Sequence, residues 1–117
     1  KESATIKVYA QVCAALEKLT FNDAKRQAVV LESGVLPNLF SALERFHDQD
    51  PTQQLPILEL LWSLTFNENA VDGLIEDATL GATWSPLEAI LRSTMSAGAL
   101  QARVCGILIN LAGRDVL

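Results

Sequence analysis

Few residues in this chain have the types and spacing that chemistry needs. His47 is the single histidine, in Phe46-His47-Asp48-Gln49-Asp50-Pro51. With Asp48 and Asp50 it could offer one imidazole and two carboxylates to a metal. Zinc sites generally take more His or Cys ligands than this, so the segment reads as a solvated loop after a helix end. The two cysteines, Cys13 and Cys105, would each need His47 beside them to act as nucleophiles. Both fall within apolar helical patterns, where a thiol packs as a small hydrophobe and is inert. They read as core residues in equivalent positions. No Gly-rich phosphate loop and no nucleophile elbow is present. No catalytic, metal or cofactor residue is expected, and the chain does not read as an enzyme.

A second constellation is acidic. Glu68, Asp72 and Glu76 recur every four residues, with Asp77 beside them. Acids spaced this way share one helix face and repel by a few tenths of a kcal/mol per pair, on the order of the usual i,i+4 effect. They read either as a docking stripe for a basic partner or as a solvated outer face.

The elements that would position these residues are set by an internal repeat. Leu16-Glu17-Lys18-Leu19-Thr20-Phe21-Asn22 returns as Leu61-Trp62-Ser63-Leu64-Thr65-Phe66-Asn67, and Leu108-Ile109-Asn110-Leu111 is a third copy. Val12, Ile57 and Val104 align upstream, and Cys13 and Cys105 share a slot. The repeat length of about 45 residues is that of two- or three-helix solenoid units. Val8, Val12, Ala15, Leu16 and Leu19 follow an i, i+3, i+4 rhythm, as do Ile57, Leu58, Leu61 and Leu64, and then Leu100, Val104, Leu108 and Leu111. Shorter patterns follow Asn22-Asp23 and Asn67, whose side chains suit helix N-caps. Ser33-Gly34 stops the first short helix, because glycine takes the left-handed position cheaply. Ser85, Pro86 and Glu88 form a capping box for a later medium helix. The expected order is long, short, medium, long, short, medium, long, with breaks near 21–23, 33–34, 47–51, 66–67, 78–84 and 96–98. Pro56 predicts a kink in the second long helix, or a helix that starts there. No window alternates with period two for long, so no sheet is expected.

Composition agrees with a packed helical domain. The chain has 117 residues, 50% apolar and 20% charged, with a net charge of −5. That balance excludes a disordered chain. The acidic sign argues against a broad nucleic-acid surface. No apolar run is long enough for a membrane span, and no secretory signal opens the chain. Two unframed cysteines fit a reducing compartment, cytoplasmic or nuclear. Beginning at Lys1, the sequence reads as an excised piece.

Gln27 to Phe40, with its short helix, Gly34 break and Leu36-Pro37-Asn38-Leu39 restart, resembles an armadillo (ARM/HEAT-like) repeat. Val104 to Ala112 is similar to the family's long third helix. The resemblance covers nearly the whole chain, with residues 67–112 more degenerate than 21–66. It implies an all-α fold: a right-handed superhelix of about two and a half three-helix units (1–20, 21–66, 67–112), third helices lining a concave groove. The groove positions would be Gln11, Lys18, Glu59, Ser63, Arg103 and Asn110. Of the family's asparagine-ladder slots, Lys18, Ser63 and Asn110, only Asn110 fits. Ala14, Glu59 and Gly106 stand where tryptophan often helps. This departure argues against binding basic nuclear-import peptides. Trp62 reads as wedged between repeats or exposed as an anchor; Trp84, Phe21 and Phe66 read as core. The implied function is a non-catalytic protein or peptide interaction and scaffolding domain. The alternatives are a regulatory or autoinhibitory domain of a larger cytoskeletal or signalling protein, and a small-molecule-sensing domain. Repeat ends without polar caps predict end-to-end self-association, or packing on further repeats of a longer array.

Overall fold

The turn chemistry is where the chain begins to dictate its shape. Helix α1 (Glu2–Thr20) ends at Phe21-Asn22, and Asn22 takes a positive φ of 57°. Asparagine tolerates that conformation better than most residues. Asp23 then sits in extended geometry and accepts a hydrogen bond from the Arg26 backbone N–H at 3.0 Å, capping helix α2 (Ala24–Glu32). Of the two candidate caps, Asp23 is the one used. Two side chains of α2 reach back to the last turn of α1. Arg26 Nη1 donates to the Leu19 carbonyl at 3.2 Å, and Gln27 Nε2 to the Thr20 carbonyl at 3.0 Å. Carbonyls left open by the end of one helix are thus satisfied by the start of the next.

Gly34, at φ 84°, ends α2 and leads into α3 (Val35–Arg45). A Cβ at that φ would be strained, which is why glycine stands there. Pro37 falls in the first turn of α3, where a missing N–H costs little. Helix α4 (Pro51–Leu64) begins on a proline and runs through Pro56 without interruption, so a helix start at Pro56 does not occur. Helix α5 is Gly98–Asp115.

The computed structural model describes residues 2–46, 51–67, 87–90, 92 and 98–115. Among them every regular element is helical and there is no strand. Residues 87–90 are helical, and Glu88 pairs with Arg92 one turn on at 2.7 Å. His47, Asp48, Asp50, the acidic series Glu68, Asp72, Glu76 and Asp77, Trp84, Ser85 and Pro86 lie outside the described residues.

The three long helices pack in sequence: α1 on α4, and α4 on α5. Helix α3 also packs on α4, and α2 joins α1 to α3. The core follows the apolar rhythm. Ile57, Leu58, Leu60, Leu61 and Leu64 of α4 are all fully buried. They meet Ile6 and Cys13 of α1, Leu39, Leu43 and Phe46 around α3, and Leu100, Val104 and Ile107 of α5 in one cluster. Each such aliphatic side chain contributes roughly 1.5–3 kcal/mol by leaving water. Helix α4 is therefore the middle of the molecule. No helix among the described residues is long and apolar enough to cross a membrane.

Two expectations about the core are corrected. Phe21 and Phe66 are 65% and 63% exposed. Each follows the last turn of a long helix, beyond the reach of the neighbouring helix face. Cys105 is exposed whereas Cys13 is buried, although they share a repeat slot. Helix α4 lies beside the Cys13 face of α1, and no described element covers the matching face of α5. Burial pushes the Cys13 thiol up to about 12. Both cysteines are free, and no group of three or more metal-ligating side chains occurs among the described residues.

Candidate functional site

Trp62 organises a region where predicted site residues converge among the described residues. It lies near the end of α4, half-buried, with its indole against the backbone of α5 at Gly106. A Cβ at Gly106 would stand 2.7 Å from Trp62 Nε1 and 2.9 Å from Cδ1, so only glycine lets the ring lie this close. The Arg103 guanidinium sits over the ring at 4.4 Å, within cation–π range. Phe66 meets the ring edge-on, with centroids 5.1 Å apart and planes at 78°. Tryptophan is thus both a wedge between α4 and α5 and an aromatic wall.

Beside it opens a cleft of about 460 Å³. One wall is Trp62, Ser63 and Phe66. The other is Phe21, Asn22, Ala24 and Gln27, from the α1–α2 turn and the start of α2. The repeat explains the pairing: Phe21 and Phe66 hold the same slot of consecutive units, and packing α1 on α4 brings both to the same edge. A chain of hydrogen bonds holds the walls at their spacing. Asn67 Nδ2 donates to Gln27 Oε1 at 3.1 Å, and Gln27 Nε2 donates to the Thr20 carbonyl. Gln27 is buried, so leaving these groups unmatched would be costly.

The predicted groove residues divide into two sets. Glu59 and Arg103 come together across α4 and α5, with Oε2 and Nε 3.6 Å apart. That is an ion-pair distance and too long for a hydrogen bond, which agrees with Arg103 Nε having no hydrogen-bond partner. Asn110 Nδ2 donates to Thr65 Oγ1 at 2.7 Å, and Thr65 Oγ1 donates to the Trp62 carbonyl at 2.6 Å. The residue that best fitted an asparagine ladder thus ties α5 to the end of α4. Ser63 is buried, at the cleft edge. Gln11 and Lys18 are exposed on α1, and Lys18 makes no ion pair among the described residues. The floor of mixed charge is consequently one Glu59–Arg103 pair, with Lys18 outside it.

Among the described residues, no ionisable side chain lines the cleft. These residues offer three aromatic surfaces, two amides and the Ser63 hydroxyl, which suits holding an apolar side chain. Asn22, Ala24 and Gln27 were not marked by the sequence as site residues. The available signal was Gln27, a polar residue in the otherwise apolar short pattern Ala28, Val29, Leu31. No family model matches this chain, and neither a curated protein nor a solved structure matches it.

Proposed function

We propose that this chain is a non-catalytic protein-interaction domain built from armadillo-like helical repeats. In this reading it holds an extended peptide by an apolar or aromatic side chain set into the Phe21–Trp62–Phe66 cleft. The observation that carries the reading is a cleft of about 460 Å³ with exposed Phe21 on one wall and, on the other, the half-buried Trp62 with exposed Phe66 against its edge. Large aromatics cost free energy when left in water, and clusters of them mark binding surfaces. The volume falls in the range of ligand-holding pockets, roughly 300–1,000 Å³. The described lining, aromatic rings and amides with one hydroxyl, supports holding an apolar side chain. Side-by-side packing of the three long helices, at the spacing of the sequence repeat, supports the armadillo-like reading.

The test is selection from a displayed library of random peptides, followed by nuclear magnetic resonance titration. Selected peptides should share an aromatic or large aliphatic residue, and should shift the resonances of Phe21, Trp62 and Phe66. Phe66→Ser should weaken binding about tenfold or more, equivalent to about 1.4 kcal/mol. Peptides whose shifts map away from the cleft, or whose affinity ignores Phe66→Ser, would sink the reading. So would saturable binding of small metabolites there in place of peptides.

A further inference from the structure

The repeat allows each long helix to be compared slot by slot. One set of slots holds Val8, Val12, Ala15 and Leu19 in α1, Gln53, Ile57, Leu60 and Leu64 in α4, and Leu100, Val104, Ile107 and Leu111 in α5. Another set holds Ala10, Cys13, Glu17 and Thr20 in α1, Leu55, Leu58, Trp62 and Thr65 in α4, and Ala102, Cys105, Ile109 and Ala112 in α5. Call these the front and rear faces. The rear face of α4 packs on α5: Trp62 lies against Gly106, and Thr65 bonds Asn110. The rear face of α1 is covered where α1 meets α4, with Ala10, Cys13 and Thr20 buried. The front faces of α4 and α5 are buried as well, at Ile57, Leu60 and Leu64, and at Leu100, Val104, Ile107 and Leu111.

Two faces break the pattern. The front of α1 is open: Val8 is 61%, Val12 53% and Leu19 56% exposed. The rear of α5 is open too, with Ile109 68% exposed and Ala102, Cys105 and Ala112 also exposed. Beside the α1 stripe lies a hollow of about 490 Å³ lined by Thr5, Val8, Tyr9 and Val12. The molecule therefore displays, unused, one half of each contact it makes twice inside itself.

We propose that the rear face of α5 in one copy docks on the front face of α1 in a second copy, continuing the internal α1–α4–α5 stacking from molecule to molecule. Such a contact joins two different surfaces. It leaves one front and one rear free in every assembly, so it grows as an open chain. It uses neither wall of the Trp62 cleft and stands independently of the peptide-binding reading.

The test is sedimentation velocity on the whole chain over a wide concentration series, with reductant present so that Cys105 disulfides cannot mimic association. The weight-average mass of the wild type should at least double and keep rising without a plateau at dimer. Val12→Glu should be monomeric, and so should Ile109→Glu. An equimolar mixture of the two should form a dimer and stop there, because one intact front and one intact rear remain. Both sites are exposed, and unchanged far-ultraviolet circular dichroism checks folding; Val8→Lys replaces Val12→Glu should that variant unfold. A wild type that stays monomeric throughout would overturn the proposal and assign the stripe to a helix of another protein. A mixture that stays monomeric while the wild type associates would overturn it equally, since contact would then use some other surface or join two copies of the same face.

Discussion

Replacing Gly106 by alanine sets two ordinary effects of opposite sign against each other. Alanine is favoured over glycine within a helix by about 1 kcal/mol. Gly106 lies well inside α5, so the substitution would normally stabilise. Here the new methyl would stand 2.7 Å from Trp62 Nε1, well inside contact distance. The indole is not a flexible chain end. It is held by Arg103 on its face and by Phe66 at its edge. Overpacking of this kind typically costs about 1–3 kcal/mol. Moving the ring aside also weakens a cation–π contact and an aromatic pair, each worth roughly 0.5–1 kcal/mol at a partly exposed site. Taking about 2 kcal/mol for the clash and its losses, and crediting about 1 for propensity, Gly106→Ala should destabilise by about 1 kcal/mol. For a chain of this length that is a fall in Tm of about 4 °C. In a Trp62→Ala background the obstacle is gone, and the same change should stabilise by about 1 kcal/mol. The sign reversal is a coupling of about 2 kcal/mol, measurable by a double-mutant cycle in urea. Far-ultraviolet circular dichroism is the proper probe, because the cycle removes a tryptophan. If Gly106→Ala stabilises equally in both backgrounds, Trp62 does not rest on α5, and the wall of the cleft is misplaced.

Three further outcomes follow from other parts of the molecule. Asp23→Ala removes the α2 cap and should lower stability by about 1 kcal/mol, with Asp23→Ser retaining most of it; equal losses for both in urea titration would contradict the capping role. Cys105 should react with a maleimide in the native state while Cys13 reacts only on unfolding, since a thiol pushed to about 12 carries about a thousandfold less thiolate than an ordinary one; mass spectrometry of peptides after brief labelling separates the two. Burial, with a smaller contribution from Cys13, also raises Tyr9 to about 12. Both groups ionise first in the unfolded chain, so their effect is nil below the unfolded values near 9.0 and 10.0, and stability should fall as pH rises from there towards 12. The part due to Tyr9 is reduced by its partial exposure. A Tm that holds level from pH 9 to 11 would contradict this reading, and Cys13→Ala should flatten the fall.

Much of the architecture was legible because it is local or periodic. The Asp23 cap and the Gly34 break are decided by side chains within a few residues of the turn they make. The order long, short, medium, long needed only the apolar rhythm. Burial was less legible, since a slot is covered or bare according to what lies beside it. Val12, Ile57 and Val104 look alike in sequence, yet only the latter two are buried. Cys13 and Cys105 differ for the same reason. The recurrence of Phe21 and Phe66 marked them as important. It did not say whether they face inward, because both follow helix ends, where the period of the helix no longer fixes direction. Gln27 showed in the sequence only as a polar residue beside an apolar pattern, because its partners, Thr20 and Asn67, lie on either side of it in the chain, and one of them is 40 residues away.

The central position of α4 carries a consequence for how the molecule opens. Both faces of α4 are covered, one by α1 and the other by α5, while α1 and α5 each keep one face in water. In a stack where each layer touches only its neighbours, opening proceeds from the outside inward. Amide protons at the middle of α4 can then exchange with solvent only when an outer helix has already peeled away, so their protection reports the free energy of unfolding the whole stack. Those of α1 and α5 report partial openings. One edge of the Trp62 cleft is the α1–α2 turn with the start of α2, and the other is the end of α4, so each release of α1 that carries this turn away dismantles the cleft while α4 and α5 stay joined. Occupation of the cleft would accordingly slow exchange in α1 first, at a distance from any residue the occupant touches.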